Sequence, residues 1–413
     1  MNNDVPQGTN PDSITSDFHR SITALLTQLD EVDTAVMLTF LPTLNARLAH
    51  LKNAFDPQVL HCIAIKSNPH PKILETIIQQ GFGLEAASIE EVRRALSLGC
   101  PSHKLVFDSP VKTRLEIAEV AQQDGLLVNV NTLSELKRFP KAIRCTIGIR
   151  INPLTDTGSP ERFSVGRNES KFGVPIAQRQ ELIDAILTYP VTALHMHSGS
   201  QMRDISAQAQ ALNALGTLAH DMNQKLTEHH VNRQIEILDI GGGLPSEPLS
   251  TPSQMQDYGA LVHGIKALHK FKLVTEFGQW LNAECGAALS RVEYVIDGQP
   301  SKIFIHLGAD MFTRDAYTKA RPFPLSIWTR DGQLSNEQSQ TYDVAGPLCF
   351  AGDYVARQVK LPKVKEGDWL CIEHTGANTY SLWSRHCSRD IPAHWVWDGD
   401  RVHQWSSRQE VNY

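Results

Sequence analysis

From about residue 60 the chain alternates short, mostly β-branched apolar runs with longer stretches in which apolar residues recur at helical spacing. The strand candidates are "CIAIKS" from 62, "FGLEAAS" from 82, "KLVFDSP" from 104, "LLVNVNT" from 126, "TIGIRINP" from 146, "VTALHMHSG" from 191, "IEILDIGGG" from 235 and "KLVTEFG" from 272. Between them lie "PKILETIIQQG", "IEEVRRALSLG" and "RQELIDAILTYP", amphipathic stretches with Gly or Pro at their ends. Eight strands separated by helices over about 220 residues match the count and length of a (β/α)8 barrel better than those of an open doubly wound sheet.

After Gly278 the pattern changes to "SRVEYVID", "SKIFIHLG", "YVARQVKL" and "DWLCIEH", separated by Gly, Pro and Asp with no long helical stretch. This predicts a mainly β domain. The fold class expected is therefore α/β plus all-β: a TIM-like barrel over residues 41–278, then a C-terminal β-sandwich or β-barrel over 279–413. "TAVMLTF", residues 34–40, precedes the first helix, "LPTLNARLAHLKNAF", and is expected to lend a strand to the β domain. Residues 1–33, opening with an Asn-, Pro-, Gly-, Asp- and Ser-rich stretch, are expected to be disordered or extended.

Charge and cysteine usage narrow the function. With 39 basic and 45 acidic residues the formal charge is −6, which offers no basic field for nucleic acid or an anionic membrane. A small polar ligand fits better. The seven cysteines are scattered, odd in number and lack CxxC spacing, so neither a disulfide framework nor a zinc site is indicated. No secretory leader or membrane-length apolar run is visible, and a reduced, cytoplasmic setting is expected.

In a parallel barrel, chemistry gathers at the C-terminal ends of the strands. Those ends carry Lys66, Glu85, Ser88, Asp108, Asn131, Arg150, His197, Ser200, Gly241 to Gly243 and Glu276. Taken alone, Lys66 in "AIKSNP" reads first as a lysine ending a strand with its tip in water and only second as an amine placed for Schiff-base chemistry. "DIGGG" is either a tight strand-to-helix turn or a close approach for an anion. Beside a lysine it suggests a phosphorylated cofactor, and Glu276 in "TEFG" could then hold a pyridine nitrogen protonated. His195 and His197 in "HMHSGSQ" share one face of a strand. They raise a metal site too, but no third ligand stands at recognisable spacing, so no metal is expected.

The ordered motifs "AIKSNP", "GLEAASIEEV", "RINP" with "SKFG", "HMHSGSQ", "LDIGGGLP", "EFGQ", "AGPLCFAGD" and "TGANTY" resemble those of the fold-type III pyridoxal-phosphate decarboxylases, the group of diaminopimelate, ornithine and carboxynorspermidine decarboxylases. The resemblance runs from about Val36 to the end of the chain. It implies pyridoxal 5'-phosphate as cofactor, Lys66 as the Schiff-base lysine, His197 stacked on the pyridine ring and Glu276 at its nitrogen. Gly241, Gly242, Gly243 and Ser200 would hold the phosphate, with Arg150 and Glu91 around the ring. Cys349 and Asp353 would come from the β domain of a second subunit in a homodimer with shared sites, the cysteine returning a proton after carbon dioxide has left.

Departures from the family pattern carry information. Gln279 stands where the family has an arginine, and Asn378 where it has a tyrosine, each at a cofactor-binding position. Phe350 replaces the acidic residue that binds the distal amine of a basic substrate. Arg314 matches an arginine that holds a distal carboxylate in diaminopimelate decarboxylases, and Tyr317 lies near the place of its tyrosine. The resemblance thus implies a decarboxylase for an amino acid with a bulky or acidic distal group, diaminopimelate-like or of the siderophore-intermediate type. Two alternatives are a non-catalytic binding protein that kept the fold, which Gln279 and Asn378 favour and Lys66, His197, Glu276 and Cys349 oppose, and an amino-acid racemase, which "AGPLCFAGD" disfavours.

Overall fold

The computed structural model describes residues 11–159, 164–166, 168–246, 254–318 and 322–411. The chain divides into two compact units, one formed by Leu48–Glu247 with Ser253–Trp280 and the other by the chain on either side of that span. The last strand before the first unit is β1 (Ala35–Phe40), which belongs to the second.

The first unit is a closed barrel. Its strands are β2 (Leu60–Ala64), β3 (Gly83–Ala86), β4 (Leu105–Phe107), β5 (Leu127–Val130), β6 (Thr146–Asn152), β8 (Val191–His195), β9 (Ile237–Asp239) and β10 (Lys272–Thr275), with a two-residue β7 (Val174–Pro175) against β6. Every neighbouring pair is parallel, and β5 pairing with β6 and β10 with β2 closes the ring. All eight runs picked out by the hydrophobic pattern are strands of this ring. The helices between them begin where the sequence supplies caps: Ser88 Oγ accepts from Glu91 N–H (3.2 Å), Asp204 Oδ1 from Ser206 N–H and Ala207 N–H, and Thr113 and Glu116 form a reciprocal capping box.

Inside the barrel an apolar plug of Cys62, Val106, Leu127, Ala193 and Val274 closes one level, with Leu60 and Ile237 against it. Alternate strand residues share a face. Two positions beyond a plug residue therefore lie Asp108, Asn129, His195, Asp239 and Glu276, and four beyond Cys62 lies Lys66. The switch from apolar to polar, mostly ionisable, side chains thus comes at the same height on strand after strand.

The second unit is a β domain whose main sheet places β1 between β11 (Gly286–Ile296), to which it is antiparallel, and a C-terminal strand, Ala393–Trp397, to which it is parallel. Both faces of β1 are buried. Met37 packs with Ala288, Val292 and Ile303, while Val36, Leu38 and Phe40 pack with Ala287, Leu289, Trp328 and Trp395. That explains why "AVMLTF" is apolar at nearly every position instead of alternating.

The expectation of a disordered or extended N-terminus over 1–33 needs correction. Pro11–Leu26 is an α-helix, and its Ile22, Leu25 and Leu26 complete the cluster against Val36, Leu38 and Phe40. Phe18 meets Phe40 at 5.3 Å between ring centroids. Phe18, Ile22 and Leu25 fall on one helical face, but the polar residues between them mask the period. Residues 1–10, which the same expectation covers, lie outside the described residues.

Candidate active site

At the mouth of the barrel Lys66 lies in a single 3-10 turn, Ile65–Ser67, directly after β2. The Ser67 hydroxyl closes that turn by donating to Ala64 C=O (2.7 Å). The lysine side chain is 52% exposed, and its amine is paired with Glu85, which is fully buried on β3. Burial opposes the lysine's charge, but Glu85 and then Glu276 outweigh it and hold its pKa above the ordinary value, an effect that water at the exposed tip weakens. Burial pushes the Glu85 carboxyl up to about 7 against the pull of Lys66. A carboxyl that changes state near neutrality therefore sits beside the amine.

Deeper in the barrel is a charged chain that crosses it. Arg150 Nη1 lies 3.5 Å from Asp108 Oδ2, the other oxygen of Asp108 is 3.1 Å from His195 Nδ1, and His195 Nε2 is 3.5 Å from Glu276 Oε2. Asp239 accepts from Asn129 Nδ2 (3.1 Å) and from Gly241 N–H (3.0 Å). Arg150 is also stacked over the Phe172 ring, 4.3 Å from its centroid. Burial penalises the charge on Asp108, yet His195 and Arg150 pull its carboxyl well below the usual range. Asp239 moves the other way: burial and the Glu276 carboxylate push it well up.

The two histidines of "HMHSGSQ" end in opposite states. Burial opposes a charge on His195, but Asp108, Glu276 and Asp239 outweigh it and raise the pKa to about 10. His197 falls to about 3 through burial and the nearby Arg150. Its Nδ1 accepts the Gly242 N–H at 3.3 Å, which places the lone pair of a neutral imidazole there and the ring proton on Nε2.

The glycine run "DIGGG" is required by crowding. Gly241 has φ +65°, and a Cβ there would lie 2.6 Å from Met196 C=O and 2.9 Å from His197 Nδ1. A Cβ on Gly242 would strike the Glu276 backbone. Two of the three N–H groups, those of Gly241 and Gly242, already have protein acceptors. The anion-holding share of this turn is smaller than three inward N–H groups would give.

Other strand-end residues hold the mouth together. Asn131 donates to Lys171 C=O (3.0 Å) and accepts from Gly173 N–H (2.8 Å), while Glu91 Oε2 accepts from Ala87 N–H (2.7 Å) as a partner to the Ser88 cap. Gln279 begins a short helix, Gln279–Asn282, with its Oε1 buried and unpartnered. Ser200 is partly buried at the end of the histidine strand.

In the β domain Cys349 is exposed on a turn, and Phe350 beside it stacks on Tyr317, with ring centroids 5.4 Å apart and planes at 26°. Tyr317 and Arg314 are three apart on the short helix Thr313–Thr318, hence neighbours on its surface. Four of the expected residues are thus gathered around one turn. Asp353, expected among the substrate-binding residues, is buried, accepting from Ala309 N–H and Leu348 N–H, both at 2.6 Å, and so anchors the Cys349 turn. Asn378 adopts φ +58°, a left-handed backbone that asparagine tolerates and a tyrosine would resist.

The sequence reading passed over Asp239 and Lys112. The buried Lys112 ammonium donates to Ser109 C=O, Asn129 C=O and Glu135, tying the loop after β4 to β5. It also treated His195 as half of an HxH pair without a third ligand. The fold brings Asp108 and Glu276 to it, so that one donor atom from each of the three lies within 4.8 Å of the others. The parity of inward strand positions would have revealed Asp239; nothing local marks Lys112.

A parallel barrel with an amine, buried carboxylates and a glycine turn at its mouth defines a site for an electrophilic, anionic cofactor. The family profile described as "Pyridoxal-dependent decarboxylase, pyridoxal binding domain" matches residues 41–288, and the chain belongs to that family. It is an amino-acid decarboxylase that uses pyridoxal phosphate. Among similar proteins, the diaminopimelate decarboxylase of Aquifex aeolicus is 25% identical over 378 residues, 89% of this chain and 87% of that one. The Haemophilus influenzae enzyme of the same name is 28% identical, covering 85% of each chain. A crystal structure of diaminopimelate decarboxylase from Helicobacter pylori complexed with L-lysine superposes with a TM-score of 0.82 at 24% identity, over 93% of this chain and 96% of that one. Arginine decarboxylase of Paramecium bursaria Chlorella virus shares the fold at a TM-score of 0.75 and 18% identity.

The barrel residues fit this cofactor. The Oε1 atom of Glu276 is buried without a hydrogen-bond partner, as suits a carboxylate awaiting a protonated ring nitrogen, and the crowded glycine turn leaves no side chain in the way of an anion. No helix among the described residues is long and apolar enough to cross a membrane.

Proposed function

We propose that this decarboxylase acts on an α-amino acid whose distal end carries a carboxylate or a bulky acidic group, diaminopimelate-like or of the siderophore-intermediate type, and that it works as a homodimer in the cytoplasm. The observation that carries the substrate reading is the stack of Phe350, next to Cys349, on Tyr317, with Arg314 three residues before Tyr317 on the same short helix and no carboxylate at position 350 to neutralise a distal ammonium. The fold alone does not decide substrate, since enzymes named for different amino acids share it. The seven unpaired cysteines suit a reducing compartment.

When bound, pyridoxal phosphate supplies an aldehyde for an amine and a ring that draws electrons from the carbon losing its carboxylate. Lys66 would be the amine that holds the cofactor until the substrate's amine replaces it, with Glu85 placed beside it to take and return protons. Glu276 would hold the ring nitrogen through its unpartnered oxygen, and the neutral His197, pinned by the Gly242 N–H, would present a ring face without adding charge. Arg150 would lie beside the cofactor ring, Gly243 with its neighbours and Ser200 would hold the phosphate, and Gln279 and Asn378 would occupy cofactor-binding positions. Cys349, an exposed thiol on a turn anchored by Asp353, returns a proton from the partner's β domain. The family resemblance supports that sharing.

Carbon dioxide release from purified protein with added cofactor, measured across diaminopimelate, citryl-conjugated amino acids, ornithine and lysine, tests the reading. Turnover of the acidic substrates that falls sharply in Arg314→Ala supports it; efficient ornithine or lysine turnover indifferent to Arg314→Ala sinks it. For the dimer, mixing Lys66→Ala with Cys349→Ala under demonstrated subunit exchange should restore activity through hybrid sites.

A further inference from the structure

We propose that His195 is a positioning residue: buried between Asp108 and Glu276, its imidazole is held as a cation that keeps the Glu276 carboxylate ionised and in place for its contact with the cofactor. The proposal rests on the assignment of Glu276 to the ring nitrogen. His195 is completely buried, and each of its ring nitrogens lies at ion-pair distance from a carboxylate oxygen, 3.1 Å on the Asp108 side and 3.5 Å on the Glu276 side, although neither contact is aligned as a hydrogen bond. A neutral imidazole has one N–H and would turn a lone pair towards one of those carboxylates. Only the cation sets positive charge beside both.

The charges around it lead to the same state. The groups facing this part of the barrel are Lys66 after β2, Glu85 on β3, Asp108 after β4, Arg150 on β6, the neutral His197 beyond β8, Asp239 on β9 and Glu276 after β10. Four carboxyl groups thus surround two standing cations, Lys66 and Arg150. Asp239, pushed up by burial and by Glu276, is the carboxyl that keeps its proton. A third cation at His195 then balances the three remaining carboxylates. Glu276 responds as this requires: burial raises its pKa, but the adjacent His195 charge reverses the shift and holds it below the usual range. Without that cation a buried carboxylate beside Asp108 would take up a proton and could no longer pair with a protonated ring nitrogen.

The state of the imidazole can be read in the cofactor-free protein by nitrogen NMR of histidine-labelled samples, with His195→Gln identifying the signal by difference. The expected result is one histidine protonated on both ring nitrogens at about pH 8, titrating near 10, whose midpoint drops by a pH unit or more in Asp108→Asn, which retains the histidine. The second variant serves should His195→Gln fail to fold. In the holoenzyme, His195→Gln should weaken cofactor binding and lower kcat by about tenfold or more, whereas in a Glu276→Gln background it should change either by less than about twofold. Equal losses in both backgrounds would reduce His195 to packing and overturn the proposal. A neutral imidazole at about pH 8 overturns it while leaving the cofactor reading standing. A Glu276→Gln protein that binds pyridoxal phosphate like wild type overturns both.

Discussion

Replacing Gly241 with alanine tests whether the glycine turn exists because strand ends crowd there. The position has φ +65°, where an L side chain costs about 1–2 kcal/mol. The added methyl would also lie 2.6 Å from Met196 C=O and 2.9 Å from His197 Nδ1, below any ordinary contact distance. One obstacle is backbone, and the other is a ring pinned by Gly242, so relief must come from moving a strand end, an overpacking penalty of about 1–3 kcal/mol. The sum, about 2–5 kcal/mol, corresponds to a melting-temperature loss of about 4–20 °C for a unit of this size. Gly99→Ala is the control: φ is +86°, yet nothing lies within 4 Å of its added carbon, so only the backbone strain applies. Thermal melts of both variants, free and with pyridoxal phosphate, should show Gly241→Ala the worse by about 1–3 kcal/mol and less stabilised by cofactor because His197 is displaced. Equal melting losses in the two variants would refute the crowding argument and leave the glycines as conformational requirements alone.

Lys112→Met should destabilise the protein by about 3–5 kcal/mol in urea titration, because Glu135 is left buried without its cation, and adding Glu135→Gln should recover part of the loss. On the pH axis, His195 has a folded pKa of about 10 against an ordinary 6.5, so its stabilisation is complete below 6.5 and disappears as pH rises through 10. Wild type should therefore lose stability faster than His195→Gln across that window, and parallel curves would contradict the shift. Asn378→Tyr, although it restores the family's residue, should lower stability by about 1–2 kcal/mol because of φ +58°, while Asn378→Gly should be nearly neutral in the same melt. Phe350→Glu should separate the ring stack from Tyr317 and admit measurable ornithine or lysine turnover, detected as carbon dioxide release.

Much of the architecture was already written in local pattern. Eight apolar runs spaced by amphipathic stretches are enough to indicate a parallel barrel, since each strand buries both faces and each helix only one. Lys66, Glu85, Asp108, Arg150, His197 and Glu276 were legible because strand ends are where a barrel opens to solvent, and an ionisable residue directly after an apolar run stands out there. The helix Pro11–Leu26 was hidden because its stability comes from Phe40 and Trp328, far along the chain, and its own composition is polar. Protonation states were beyond sequence altogether. His195 and His197 are the same residue type two positions apart at one strand end, yet one is held charged by Asp108 and Glu276 and the other neutral by burial, Arg150 and a glycine N–H. A pKa depends on charges within a few ångströms and on the water excluded, and both arise only when distant strand ends converge. The sequence by itself therefore determined which elements form and which side chains reach the barrel mouth; tertiary structure decided what charge each of them carries, because only the closed barrel places them within reach of one another.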